Sequence, residues 1–177
     1  INVNIAMHHC KEVSYLVNDK YYFAIGYKND INGYELRNKY FKGCTSKAPT
    51  TNGVGNDVCK VFEGFVDYLS YLTLKNTFHL QESSVVLNSV SNLEKAQSFI
   101  KSHNTIMTYL DNDEAGQRAI SFLKSFGKNL IDKSSHYQNH KDLNDYLVNK
   151  NNLKNKLTDD IDEGIKSELS NSYRRKR

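Results

Sequence analysis

The chain has 177 residues, 38% of them hydrophobic and 25% charged, which is enough for one main domain with a real core and too apolar for a disordered segment. Its net charge of +4 comes from a basic tail, Arg174-Arg175-Lys176-Arg177, because the other 20 basic residues balance the 20 acidic ones; overall charge is therefore no argument for nucleic-acid binding. No apolar run reaches the roughly 18–20 residues of a membrane span and no signal peptide precedes the body, so no membrane association and a cytoplasmic setting are expected.

The chain opens on Ile1 rather than Met, as an excised domain of a longer protein would. His8-His9-Cys10 offers metal ligands, although a lone cluster of this kind is more often terminal or packing residues. Val13–Val17 and Tyr21–Tyr27 read as a β-hairpin turning at Asn18-Asp19. Asn29–Gly33 supplies another turn, and Tyr34–Asn38 alternates like a third strand. Ser46–Asn56, with Pro49, Gly53 and Gly55, reads as a loop or linker. Residues 1–56 are thus expected to form a β-rich subdomain. Cys10, Cys44 and Cys59 are widely spaced with no C-x-x-C pair, so neither a disulfide framework nor a zinc ribbon is visible and a reducing compartment is expected.

From about residue 57 strands alternate with helices. Strand 58–62 leads into a helix with Phe65, Leu69 and Leu72 on one face. Val85–Leu87 is a second buried strand. Ser91 and Glu94 have the spacing of a capping box, opening a helix that buries Leu93, Ala96, Phe99 and Ile100. Thr105–Leu110 is a third strand. The next helix buries Ala115, Ala119, Phe122, Leu123 and Phe126, and Gly127 ends it. Asn129–Ile131 starts a fourth strand, and Asp142–Leu147 opens a short helix. Such alternation implies an α/β fold, with right-handed crossovers and a mostly parallel sheet over 57–150. Beyond 150, Leu153, Leu157, Ile161, Ile165 and Leu169 recur every four residues, predicting an amphipathic helix before the basic tail (151–177).

Two of these strands end in acids, where ligands bind parallel sheets. Asp111 and Asp113 flank Asn112 at the end of the third strand, and Glu63-Gly64 follows the first. Hard carboxylate oxygens suit Mg²⁺, and phosphoryl transfer needs a divalent ion to neutralise and position phosphate. Glu63 could complete a metal site or act as a general acid or base. Gly64 allows close backbone approach to a phosphate at a helix N-terminus. An Asp before a helix is also a standard N-cap, which competes for Asp113, and Asp142 with Asp145 has cap spacing too. Lys141 beside Asp142 could bind phosphate or be solvated.

Phe62-Glu63-Gly64-Phe65-Val66-Asp67, the run from Asp111 to Ala119, and His140-Lys141-Asp142-Leu143-Asn144-Asp145 together resemble the Toprim domain. That domain is shared by bacterial DnaG-type primases, topoisomerases and some nucleases, and the segments look like the primase E-G-x-x-D, D-x-D-x-A-G-x-x-A and K-D-P-D-E/D elements. The resemblance implies a compact four-stranded parallel sheet flanked by helices, preceded by a small β-rich subdomain. It implies Mg²⁺ or Mn²⁺ bound by Glu63, Asp111, Asp113 and Asp142, with Glu63, Asp111 and Asp113 catalytic. Asn144 departs from the pattern, standing where the primase segment has a second acid. More loosely, Gly33–Tyr40 resembles the β subdomain that precedes Toprim in primases, which would turn Arg37, Lys39 and Lys42 toward template or nucleotide. The activity so implied is RNA-primer synthesis on a single-stranded DNA template from ribonucleoside triphosphates. Primases of plasmids and conjugative elements would add a replicative helicase as partner and a zinc-ribbon domain upstream. The competing readings are a Toprim nuclease and a degenerate Toprim that only binds nucleic acid.

Overall fold

Asn18 and Asp19 both take positive φ, 48° and 58°, the left-handed pair that a two-residue hairpin turn needs. They join β1 (Cys10–Val17) to β2 (Lys20–Lys28). The second turn is held by Asn29, whose Oδ1 accepts from the backbone N–H of Ile31 and Gly33 at 3.3 and 2.8 Å. β3 (Tyr34–Arg37) and β4 (Lys42–Cys44) complete an antiparallel sheet in the order β1-β2-β3-β4. A short helix that the hydrophobic pattern does not announce, α1 (Val3–His9), precedes it and is capped by the Asn2 side chain. The computed structural model describes residues 1–55 and 57–153.

The second sheet contains β5 (Thr50–Asn52), β6 (Val58–Phe62), β7 (Ser83–Val86), β8 (Thr105–Tyr109) and β9 (Asn129–Asp132), in the order β5-β7-β6-β8-β9. β6 to β9 run parallel, as their alternation with helices requires. β5 is an addition, pairing antiparallel with β7 at Thr50↔Val86. It comes from the stretch read as a loop, because three residues are too few to show a period.

Helices α2 (Phe65–Lys75), α3 (Leu93–Lys101) and α4 (Glu114–Lys124) connect the parallel strands, and α5 occupies 143–153. The expected capping box at Ser91 is replaced by a cap two residues earlier. Ser89 Oγ accepts from Ser91 N, and a 3₁₀ turn at Val90–Asn92 leads into α3. The amphipathic helix predicted to run to Leu169, and the basic tail, extend past the described residues. Among those residues no helix is long and apolar enough to cross a membrane.

Alternation along the strands builds two cores, one on each face of the parallel sheet. Cys59, Val61, Val85 and Ile106 pack with α3 and α4 residues such as Ala96, Ile100 and Leu123. Phe62 and Val86 face the other way, toward Tyr68, Leu69 and Leu72 of α2. This second core also takes in Ile5 of α1 and Tyr27 of β2, with the Tyr27 and Phe65 rings stacked at 5.2 Å. The antiparallel sheet is therefore fastened to the parallel one through shared apolar packing.

Ile5 is 2% exposed within that shared core. Its replacement by alanine should lower unfolding free energy by about 2–4 kcal/mol, the usual range for emptying a buried aliphatic site. Urea titration followed by circular dichroism reads the loss, and a single transition is expected because the two sheets share the core.

Candidate functional site

The parallel sheet starts at β6, places β7 on one side, then crosses back to place β8 on the other. The carboxyl ends of β6 and β8 thus flank the point where the chain reverses its direction of winding, the usual binding crevice of such sheets. The pairing Phe62↔Tyr109 sets what lies just beyond. Glu63 follows one strand and Leu110-Asp111 the other, and Glu63 Oε2 accepts from the Asp111 backbone N–H at 3.3 Å.

Three further constraints hold the acids in position. Asp113 caps α4, its Oδ1 accepting from Gly116 N at 2.9 Å. Gly116 is required there because a Cβ would stand 2.1 Å from the Asp111 carbonyl oxygen. Asn112 ties this loop to the segment before α5: its Nδ2 donates to the carbonyls of Tyr137 and His140 at 3.0 and 2.8 Å, and its backbone N donates to Lys141 O at 2.7 Å. Tyr137 OH donates to Leu110 O at 2.9 Å. Asp142 is thereby brought opposite Asp111, where its Oδ1 accepts from Asp145 N at 2.7 Å.

The result is a group of three carboxylates, Asp67, Asp111 and Asp142, whose oxygens lie within 4.8 Å of one another. Asp67 comes from the first turn of α2, is buried, and accepts from Asn144 N at 3.2 Å. Burial and the neighbouring charges of Asp142 and Asp111 push its carboxyl up to about 7 despite that hydrogen bond. Burial, Glu63 and Asp142 likewise push Asp111 up to about 7, while Lys141, 4.0 Å away, opposes the shift. Glu63 is also raised, first by burial and then by Asp113, with its bond from Asp111 N, Lys42 and Lys141 opposing. Crowded, half-desolvated carboxylates of this kind suit a hard divalent cation, which would relieve the repulsion that now raises them.

The acids line a cleft of about 150 Å³, and the antiparallel sheet supplies its opposite wall. Arg37 and Lys42 from that sheet, Gly64 at the N-cap of α2, and Lys141 all line the cleft with Glu63, Asp67, Asp111 and Asp142. Two of the sequence candidates stand apart. Lys39 is outside the cleft lining, its Nζ lying over the Tyr40 ring at 5.4 Å. Asp113 is exposed and spends one oxygen on its cap. Asn144 turns its amide to Ser70 Oγ at 3.0 Å, so the residue in place of an acid braces α5 against α2.

Three cleft residues were not singled out from the sequence. Asp67 closes the Phe62–Asp67 segment, and its place four residues after Glu63 was the available signal; an acid in a helix's first turn is common without a ligand. Glu35 is buried in β3 with its carboxyl raised by that burial. Asn88, with φ 62°, lines the cleft and has a buried Oδ1 without a hydrogen-bond partner.

Comparison with known proteins bears on the fold. Residues 60–147 match the Toprim-like family, and residues 1–46 match a domain of unknown function (DUF8464). The crystal structure of the primase fragment of the bacteriophage T7 primase-helicase protein superposes with a TM-score of 0.56 at 17% identity, over 78% of this chain and 62% of that one. A structure of the bacteriophage T7 lagging-strand DNA polymerase interacting with primase domains gives a TM-score of 0.45 at 16% identity, over 65% of each chain. The chain thus spans less than two thirds of the length of either structure. No curated protein matches the sequence.

The raised carboxyls carry a pH signature. A group that binds its proton more tightly folded than unfolded loses stability as pH rises. In chelator, unfolding free energy should therefore fall between about pH 4 and about pH 7, as Asp67 and Asp111 ionise, and level off above that. Denaturant midpoints measured across this range should show the decline. Asp111→Asn should flatten it and raise the midpoint at pH 7.5.

Proposed function

From a chain whose residues 60–147 form a Toprim-like domain and whose fold is that of a phage primase fragment, we propose a primase-type nucleotidyl transferase that builds RNA primers on single-stranded DNA. The observation that carries the reading is the meeting of three carboxylates from α2, the β8–α4 loop and the start of α5 with cationic side chains from the other sheet in one cleft. Acids alone would suit cation storage. Acids facing Arg37, Lys42 and Lys141 suit a substrate that brings phosphate and metal together.

In this reading Asp67, Asp111 and Asp142 hold Mg²⁺ or Mn²⁺. An ion held there would supply positive charge to neutralise phosphate oxygens and to ease loss of the hydroxyl proton. Glu63 takes the proton of the attacking 3′-hydroxyl, whose oxygen forms a bond to the α-phosphorus as the bond to the bridging oxygen breaks and diphosphate leaves. Its pKa, raised by burial and by the charge of Asp113, lies closer to the neutral range where a general base is most effective. Arg37 and Lys42 contact the triphosphate or the template backbone, and Lys141 balances Asp111 until substrate arrives. Asp113 contributes by holding the loop through its cap. Lys39 lies outside this machinery. The partners of the reading are single-stranded DNA and ribonucleoside triphosphates, with a replicative helicase and an upstream zinc-ribbon domain completing it.

The test is incorporation of labelled ribonucleotides on single-stranded DNA with Mg²⁺ or Mn²⁺, using this chain and its parent protein. Short products are expected, reduced at least about 100-fold by Asp67→Asn or Asp111→Asn, as for loss of a preorganised charge at a phosphoryl-transfer centre. Lys42→Ala should weaken substrate use, and Lys39→Ala should change little. Absence of products from both proteins would overturn the reading, and metal-dependent cutting of the DNA without nucleotides would replace it with a nuclease.

A further inference from the structure

A second group of ligands lies at the opposite edge of the parallel sheet. α2 starts at the acidic cleft and runs away from it, so the loop between α2 and β7 sits at the amino ends of the strands. His79 in that loop meets His8 and His9 from the last turn of α1. One ring nitrogen of each lies within 4.8 Å of the others. The ring centroids are 4.8 Å apart for His8–His79, 5.0 Å for His8–His9 and 5.9 Å for His9–His79.

Simple packing accounts poorly for this grouping. His8 and His79 are exposed, so no apolar interior demands their rings. Three imidazoles this close repel when protonated, and His9 is held below its ordinary value by burial and by His8 and His79, against the bond to Phe78 that raises it.

The second layer is already built as metal-binding histidines require. His9 Nε2 sits 2.7 Å from the Phe78 carbonyl, which can only accept, so Nε2 carries the hydrogen and Nδ1 presents the lone pair. Such a backbone bond fixes tautomer and ring direction in most histidine metal sites. The loop carrying His79 is braced as well: Thr77 Oγ1 donates to His79 O at 2.8 Å and accepts from His79 N at 3.4 Å.

We propose that His8, His9 and His79 form a Zn²⁺ site that pins the N-terminal helix to the loop following α2, with water in the fourth position. Three neutral imidazoles prefer a borderline ion to hard Mg²⁺. The site is independent of the acidic cleft and of the activity assigned to it. It reinforces a junction also made by Ile5 packing, by the His9–Phe78 bond and by the 3.0 Å bond from Asn2 N to Thr73 Oγ1.

The test is calorimetric titration with ZnCl₂ in millimolar Mg²⁺, added to compete for the carboxylates, paired with thermal unfolding. One Zn²⁺ per chain and a raised unfolding temperature are expected. His8→Ala and His79→Ala, both at exposed positions, should each weaken binding at least about tenfold and abolish the thermal shift. Asp111→Asn and Cys10→Ser should bind zinc as the unmodified protein does. No binding, unchanged affinity in both histidine variants, or loss of binding in Asp111→Asn or Cys10→Ser would overturn the proposal.

Discussion

Everything at the cleft depends on carboxylates that repel one another and are held together regardless. Asp67 and Asp111 are each driven to about 7 by burial and by their acidic neighbours, so the folded chain carries this cluster at a cost that hydrophobic packing offsets elsewhere. The frame that enforces it is covalently cheap: a parallel register, a glycine and one asparagine. Phe62↔Tyr109 sets the two strand ends level. Gly116 lets α4 lie against the Asp111 carbonyl, and Asn112 draws the segment leading to Asp142 across the gap. A cation that relieves the repulsion gains binding energy from strain the fold has already accepted.

The two sheets meet across one cleft and contribute different charges to it. The parallel sheet and its helices contribute Glu63, Asp67, Asp111 and Asp142, whereas the antiparallel one contributes Arg37 and Lys42 beside the buried Glu35. This division has meaning only if the sheets keep a fixed spacing. Ile5, Tyr27, Phe62, Phe65 and Tyr68 provide it by sharing one core, and the stacked Tyr27–Phe65 pair joins β2 directly to the first turn of α2. Phe65 is two residues from Asp67. Packing between the sheets is thus coupled over a few ångströms to the placement of a cleft carboxylate.

Much of this was legible in the sequence, and for definite reasons. Short apolar runs ending in Glu63 and Asp111, each followed by a helical period, are strong local patterns, and they place both acids at strand ends. The Asn18-Asp19 and Asn29–Gly33 turns were equally plain, since left-handed residues and Asx bonds are local chemistry. What escaped depends on tertiary neighbours. Asp67 looks like an ordinary first-turn acid until α5 arrives with Asn144 and Asp142. Asn112 lies between two acids that draw attention from it, though its amide orders the loop. β5 is a strand only because β7 has a free edge to pair with. The Ser91 capping box failed because a 3₁₀ turn capped by Ser89 takes in Ser91, and α3 starts only after Asn92. Histidines eight and nine met their partner, His79, about seventy residues later in the chain, a distance that no local pattern spans.

In the proposed reading Asp67, Asp111 and Asp142, rather than Asp113, would hold the divalent metal. Electron paramagnetic resonance of added Mn²⁺ counts bound ion directly, without requiring turnover. A bound ion is expected that is lost on Asp67→Asn and retained on Asp113→Asn. Retention in Asp67→Asn with loss in Asp113→Asn would contradict it.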